Sequence, residues 1–309
     1  MACRAAAHSG SWYNADPDAL GRELDGLLSE ASQSAMHAKA LICPHAGYQY
    51  SAKTAAWAWK NVDPKRVHRV FVFGPSHHVY LQKCALPERS VTHYATPFGT
   101  IPLDTELLDE LRGMQGYFEE FPLQHDQNEH SVEQQLPFLH FIMRGHAFTL
   151  VPVVVGVTSA QDEKTYGELF AKYFADPGTM FVISSDFCHW GKRFRYTYLK
   201  PESQGKHIND AISDLDRQGI ALIEQHKAEA FALYLKIQGN TICGRHPICI
   251  LLRMLERLPP ELLSCLHTKM VHYSQSSRVE SRDDSCVAYA ALVTALQIAH
   301  EPHPSASGA

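Results

Sequence analysis

Four short stretches of the chain are mostly apolar: ALIC (40–43), VHRVFVFG (67–74), FTLVPVVVG (148–156) and TMFVISS (179–185). They are rich in β-branched and aromatic residues, and each stops at Pro, Gly or Ser, a pattern that predicts interior β-strands. The segments around them change period. After Asp16-Pro17, a capping residue followed by proline in the first turn, Leu20, Leu24, Leu27 and Leu28 form one stripe and predict an amphipathic helix. Residues 162–176 place Tyr166, Leu169, Phe170, Tyr173 and Phe174 on one side, a face that reads as core packing. Helical patterns also cover 207–225 and 229–236, and run through 239–258 with Pro247 near the first turn. Near the C-terminus, 268–277 and 284–295 read as two strands or as a strand and a helix. Strands alternating with helices predict an α/β fold, with a central, mostly buried mixed β-sheet flanked by helices. No repeat or long linker divides the chain, so residues 1–299 are expected to form one domain and 300–309 a disordered tail.

Three of the four strands run into polar clusters of similar character. ALIC leads to Pro44-His45-Ala46-Gly47, VFVFG to Pro75-Ser76-His77-His78, and FVISS to Asp186-Phe187-Cys188-His189. In open α/β sheets the crevice beyond the carboxyl ends of the strands is where ligands bind. Imidazole and carboxylate are the groups that bind metals and move protons. One histidine after a strand is ordinarily a hydrogen-bonded turn residue; three such strand ends predict a shared site. Gly47 and Gly74 are expected to permit sharp turns or close backbone approach, with Pro44 and Pro75 stiffening them. Cys188 and His189 are adjacent, so an extended segment points them to opposite sides, and His189 is assigned to the crevice.

Two further segments carry candidate chemistry. Cys243 precedes the helical pattern, where Arg245 and the helix N-terminus would favour a thiolate, the form that ligates metals; a lone cysteine there is also an ordinary structural residue. Cys249, on the apolar face of that helix, reads as core. In QNEHSVEQQLPF (127–138), His130 and Glu133 are three apart and would share a helix face, either lining a pocket or solvated.

Composition narrows the classes. The 309 residues are 45% apolar and 20% charged, enough for a sizeable core. A balance of 28 basic to 33 acidic side chains, net −5, gives no steering towards nucleic acid or an anionic membrane. No window has the apolar length of a membrane span, and MACRAAAHSGSWYN lacks the apolar core of a secretory signal, so an intracellular location is expected. Eight scattered cysteines in a chain of this size predict reduced thiols. No H-E-x-x-H, G-x-S-x-G, phosphate-loop, G-x-G-x-x-G or paired C-x-x-C motif occurs, which leaves metallopeptidase, serine hydrolase and nucleotide-binding readings without support.

Taken in order, PHAGY (44–48), GPSHH (74–78), EHSVEQQLPF (129–138), SSDFCHWG (184–191), FRYTY (194–198), ESQG (202–205), TICGRHPI (241–248) and YSQSS (273–277) resemble the MEMO family, named for mediating receptor-driven cell motility. The resemblance implies a fold similar to that of class III extradiol dioxygenases, non-haem iron enzymes that hold iron with two histidines and a glutamate. It implies metal ligands at His45, His77 and Cys243, the last standing where those enzymes have a carboxylate. Asp186 and His189 would be the catalytic groups, with His78, His130, Glu133, Arg193, Arg245 and His246 in the pocket or just behind it. A thiolate is softer than a carboxylate and can itself be oxidised, so iron (Fe2+) or copper is the expected metal, ahead of zinc.

The function so implied is that of an intracellular metal-binding redox protein, tied to metal and redox homeostasis and to motility signalling driven by receptor tyrosine kinases. One alternative is a phosphotyrosine-peptide adaptor without catalysis, in which Arg193, Arg195 and Arg245 attract the phosphate. The other is a non-haem iron dioxygenase with an unidentified small-molecule substrate. Expected partners are phosphotyrosine-bearing receptor tails or signalling proteins, with no nucleic acid and no membrane insertion. The expected compartment is the cytoplasm, with the nucleus second.

Overall fold

The computed structural model describes residues 2–33, 36–200, 203 and 205–297; the expected tail, 300–309, lies outside the described residues. The four interior strands are Met36–Cys43, Arg69–Pro75, Thr149–Val155 and Thr179–Ser184. They lie parallel, in the spatial order Met36–Cys43, Thr179–Ser184, Arg69–Pro75, Thr149–Val155. Every residue of Thr179–Ser184 is buried, as are all but the first of Arg69–Pro75 and of Thr149–Val155. Burial on both faces is why these strands read as continuous apolar runs instead of alternating ones.

Antiparallel neighbours make the sheet mixed. Cys286–Gln297 pairs beside Met36–Cys43, and Cys84–Pro87 beside Thr149–Val155. The C-terminal ambiguity resolves as two strands, because Leu266–Gln275 pairs antiparallel with Cys286–Gln297. A separate small sheet of Ala2–Arg4, Val91–Thr96 and Gly99–Pro102 has no counterpart among the expected elements; two of its strands, of three and four residues, are too short to carry a readable period.

The helices cover the sheet. Pro17–Glu30 is capped by Asp16, whose side chain accepts from the Ala19 N–H at 2.7 Å, and it buries Leu20 and Leu24. Ala160–Ala175 opens with a reciprocal Ser159–Asp162 capping box. It packs its aromatic face on the sheet, with Phe73 and Phe170 ring centroids 4.9 Å apart, beside a Phe71–Phe181 stack at 4.6 Å. Arg245–Leu255 packs on the same helix. One helical expectation fails. Leu123–Asn128 stops before His130, and Glu133 opens a 3-10 turn, Glu133–Gln135, that runs into Leu136–Ile142. His130 and Glu133 therefore share no helix face.

Parallel strands place their carboxyl ends on one edge of the sheet, so the segments after Cys43, Pro75 and Ser184 converge there. Gly74 is needed for close approach: a Cβ on it would stand 2.3 Å from Ser131 Oγ. Gly47 is not. Its φ is −52°, and a Cβ there would meet nothing nearer than the Trp12 carbonyl at 3.7 Å. Among the described residues, no helix is long and apolar enough to cross a membrane.

Candidate metal centre

At that edge, one donor atom each from His45, His77 and Cys243 lie within 4.8 Å of one another. Two bonds of about 2.3 Å set a ceiling of roughly 4.6 Å between ligands of one ion, so a shift of a few tenths of an ångström closes the set. Cys243 Sγ and His45 Nε2 are 3.1 Å apart. Cys243 is held in place from two sides. Its sulfur accepts from the Asp186 N–H at 3.2 Å, and the next residue, Gly244, donates to Ser185 Oγ at 3.0 Å.

Hydrogen bonds fix the tautomer of both imidazoles. Ser184 Oγ donates to the Ser131 carbonyl at 2.6 Å and accepts from Gln135 Nε2 at 2.9 Å. Its hydroxyl proton is therefore spent, and it accepts from His45 Nδ1 at 2.9 Å, leaving the Nε2 lone pair facing Cys243. His77 Nδ1 lies 2.9 Å from Glu129 Oε1, while Glu129 Oε2 accepts the His77 backbone N–H at 2.6 Å. A carboxylate behind a histidine is the usual arrangement for presenting Nε2 to a metal.

Burial and neighbouring charges shift the groups of the cluster in both directions. Burial lowers His45 well below the ordinary histidine range, with His77 acting in the same direction. Burial would lower His77 as well, but Cys243 and Glu129 outweigh it and raise it to about 10. Burial pushes Glu129 up, yet the His77 hydrogen bond and charge hold it well below the usual carboxylate range. Burial raises the Cys243 thiol, and His77 pulls it back in part. His130 is pushed down to about 3 by burial and by the neighbouring His45 and His77. Glu129 and Cys243 thus stabilise positive charge on the His77 ring.

A cavity of about 550 Å³ opens over the cluster, lined by His45, His77, His130, Asp186, His189 and Arg193 among others. Asp186 Oδ1 accepts from the His45 and Ala46 N–H groups at 2.8 and 3.3 Å. His189 lines the cavity, while Cys188 is buried and donates its backbone N–H to Asp216. His130 stacks on His77 at 4.4 Å and tilts against Trp12 at 4.5 Å; His78 is exposed, its ring 6.0 Å from that of His130.

Four candidates lie elsewhere. Glu133 is buried in a different network, with Arg4 Nη1 at 2.6 Å, Tyr13 Oη at 2.7 Å and the His8 N–H at 2.9 Å, because the 3-10 turn faces it away from the cavity. Arg245 and His246 line a separate groove, since the helix they open turns His246 to Glu163, with Nδ1 and Oε1 2.9 Å apart. Arg195 does not line the cavity; it ends a short 3-10 turn in the left-handed region, φ 56°. Glu129, Ser184 and Gln135 are functional neighbours that sequence reasoning missed. The signal for them was their place in motifs: Glu129 and Gln135 fall inside EHSVEQQLPF, and Ser184 opens SSDFCHWG.

Fold and site together define an α/β protein with two imidazoles and a thiol gathered at the carboxyl edge of a parallel sheet core. A family profile described as "Memo-like protein" matches residues 4–293. "Protein MEMO1" of Rattus norvegicus is 46% identical over 293 residues, covering 94% of this chain and 97% of that protein. "Protein MEMO1" of Homo sapiens is 45% identical with the same coverage, and "Protein memo-1 homolog" of Caenorhabditis elegans is 43% identical, covering 94% and 82%. The chain belongs to the Memo family. A solved structure of an uncharacterized Escherichia coli protein superposes with a TM-score of 0.48 at 15% identity, covering 81% of this chain and 98% of that one.

Proposed function

We propose that the protein holds one redox-active transition-metal ion, iron or copper, on His45, His77 and Cys243, and serves intracellular metal and redox handling coupled to motility signalling. The observation that carries this reading is the pair of locked tautomers: Ser184 and Glu129 engage the two Nδ1 atoms, which leaves each Nε2 for the cluster that includes Cys243. Two nitrogens and a sulfur suit iron and copper, and zinc accepts the same donors. When bound, iron or copper supplies one-electron chemistry and an open coordination position for a small ligand.

The chain's own groups do the rest. His189 Nδ1 is 2.9 Å from the Phe187 carbonyl and 3.1 Å from that of Thr241, both pure acceptors, so the proton sits on Nδ1 and Nε2 is left to exchange a proton. Asp186 holds the turn at His45 through its Oδ1 contacts. Anaerobic purification with metal analysis tests the assignment. His45→Ala and Cys243→Ala should each lose the metal while keeping the circular dichroism of the wild type; stoichiometric metal in both variants overturns it. Oxygen uptake with Fe(II) and with Cu identifies the redox partner, and uptake that depends on an added catechol would support the dioxygenase alternative.

A second reading, capture of a phosphotyrosine peptide, rests on Arg193, the one member of Arg193, Arg195 and Arg245 that lines the cavity. Calorimetry with a phosphotyrosine peptide and its unphosphorylated twin decides it, equal affinities removing this reading.

A further inference from the structure

A second cavity, of about 460 Å³, shares no lining residue with the first and lies where Arg245–Leu255 meets Ala160–Ala175 and Ala228–Gln238. Two of its lining residues are nearly completely buried, Thr158 at 5% and Asn240 at 4% exposure. Both carry an oxygen with no hydrogen-bond partner among the described residues, Thr158 Oγ1 and Asn240 Oδ1, and His246 Nε2 is in the same condition. The orientations of Asn240 and His246 are set by their other ends. Asn240 Nδ2 donates to Asp216 Oδ1 at 2.8 Å and Tyr234 Oη at 2.7 Å, so the amide cannot flip without breaking both bonds. His246 Nδ1 faces the Glu163 carboxylate at 2.9 Å, which directs Nε2 away from that carboxylate. Buried polar atoms are nearly always paired in folded proteins, and three unpaired ones around one cavity point to a ligand.

The remaining lining defines the ligand's chemistry. Arg245 and Lys236 bring two positive charges with no acidic partner among the described residues, while the acid in the lining, Glu163, is engaged by His246. Ala160, Ala232, Leu235 and Cys249 supply an apolar wall. We infer that this groove is a second binding site, taking a small carboxylic acid with an apolar body and one N–H donor, of the kind an N-acylated apolar amino acid presents. Its carboxylate pairs with Arg245, its N–H donates to Asn240 Oδ1, and its side chain lies against Ala232 and Leu235. The site is independent of any metal at His45, His77 and Cys243.

Titration of the full chain with N-acetyl-leucine, read by the methyl resonances of Ala232 and Leu235, tests the inference; N-acetyl-leucine amide is the charge-deleted control. Saturable shifts with the acid are expected, with the amide and the Arg245→Gln variant each about tenfold weaker, the size of one charge-assisted hydrogen bond. Ala232→Trp should fill the groove and abolish binding. Circular dichroism verifies that each variant is folded. No saturable shift up to millimolar acid, equal response to acid and amide, or binding that survives Ala232→Trp overturns the assignment.

Discussion

Replacing Glu129 with glutamine tests the metal centre without touching His45, His77 or Cys243. Its carboxylate accepts three hydrogen bonds at 2.6 to 2.9 Å: the His77 backbone N–H, His77 Nδ1 and the Ser131 N–H. Glutamine keeps one acceptor and turns the other into an NH2 donor, which must then face an N–H or swing away. The His77 ring loses its orienting charge in either case. Loss of such a partner behind a metal-bound histidine costs about 10- to 100-fold in affinity, or about 1.4 to 2.7 kcal/mol. The assay is anaerobic competition between the protein and a chromophoric chelator for Fe(II) or Cu(I). Glu133→Gln is the matched control, because Glu133 is as buried as Glu129 but serves Arg4, Tyr13 and His8. Breaking that buried network should cost about 3 to 5 kcal/mol of stability and leave affinity unchanged. Wild-type affinity in Glu129→Gln, or an equal loss in both variants, refutes the orientation argument.

Asp216 gives a pH-dependent prediction. Burial raises its carboxyl from 3.8 to about 7, against hydrogen bonds from Asn240, Tyr273 and the Cys188 N–H. A carboxyl raised in the fold binds protons more tightly there than in the unfolded chain, so it costs no stability below about pH 4. Its cost then grows with pH and levels off above about 7, to at most about 4 kcal/mol. Asp216→Asn mimics the protonated form; its stability advantage in urea titrations should grow by up to about 1.4 kcal/mol per pH unit between pH 5 and 7, and parallel curves would sink the assignment. Gly244→Ala should destabilise by about 1 to 3 kcal/mol and weaken metal binding, since its Cβ would stand 2.3 Å from Ser185 Cβ and 2.6 Å from the Ser184 carbonyl. Unchanged stability and affinity would show that the Cys243 turn has room to give.

Much of the fold is legible in the chain because parallel strands buried on both faces leave apolar runs that end at Pro, Gly or Ser. The short strands Ala2–Arg4 and Gly99–Pro102 carry too few residues for any period to show. His45 and His77 stand out as imidazoles at strand ends, whereas Cys243, an ordinary thiol by residue spacing alone, joins them only through the family motifs. The choice of Glu133 over Glu129 came from treating 127–138 as one helix, when the chain breaks after Asn128 and the adjacent carboxylate is the one behind His77. Arg245 and His246 follow Cys243 closely, but helix geometry turns them to the other cavity. Ser184 meets His45 across 139 positions, and a single chain carries no local mark of such a bond.

The separation of 198 positions between His45 and Cys243 has a consequence for biogenesis. Closing so long a loop in an unfolded chain carries an entropic cost with nothing local to offset it, so the three donors meet only after the strands have zipped together. An ion that recognises only the finished molecule cannot template the nascent polypeptide, yet at a hundredfold excess over its dissociation constant it adds about 2.7 kcal/mol to the native state. On the metal assignment proposed above, loading would follow completion of the fold.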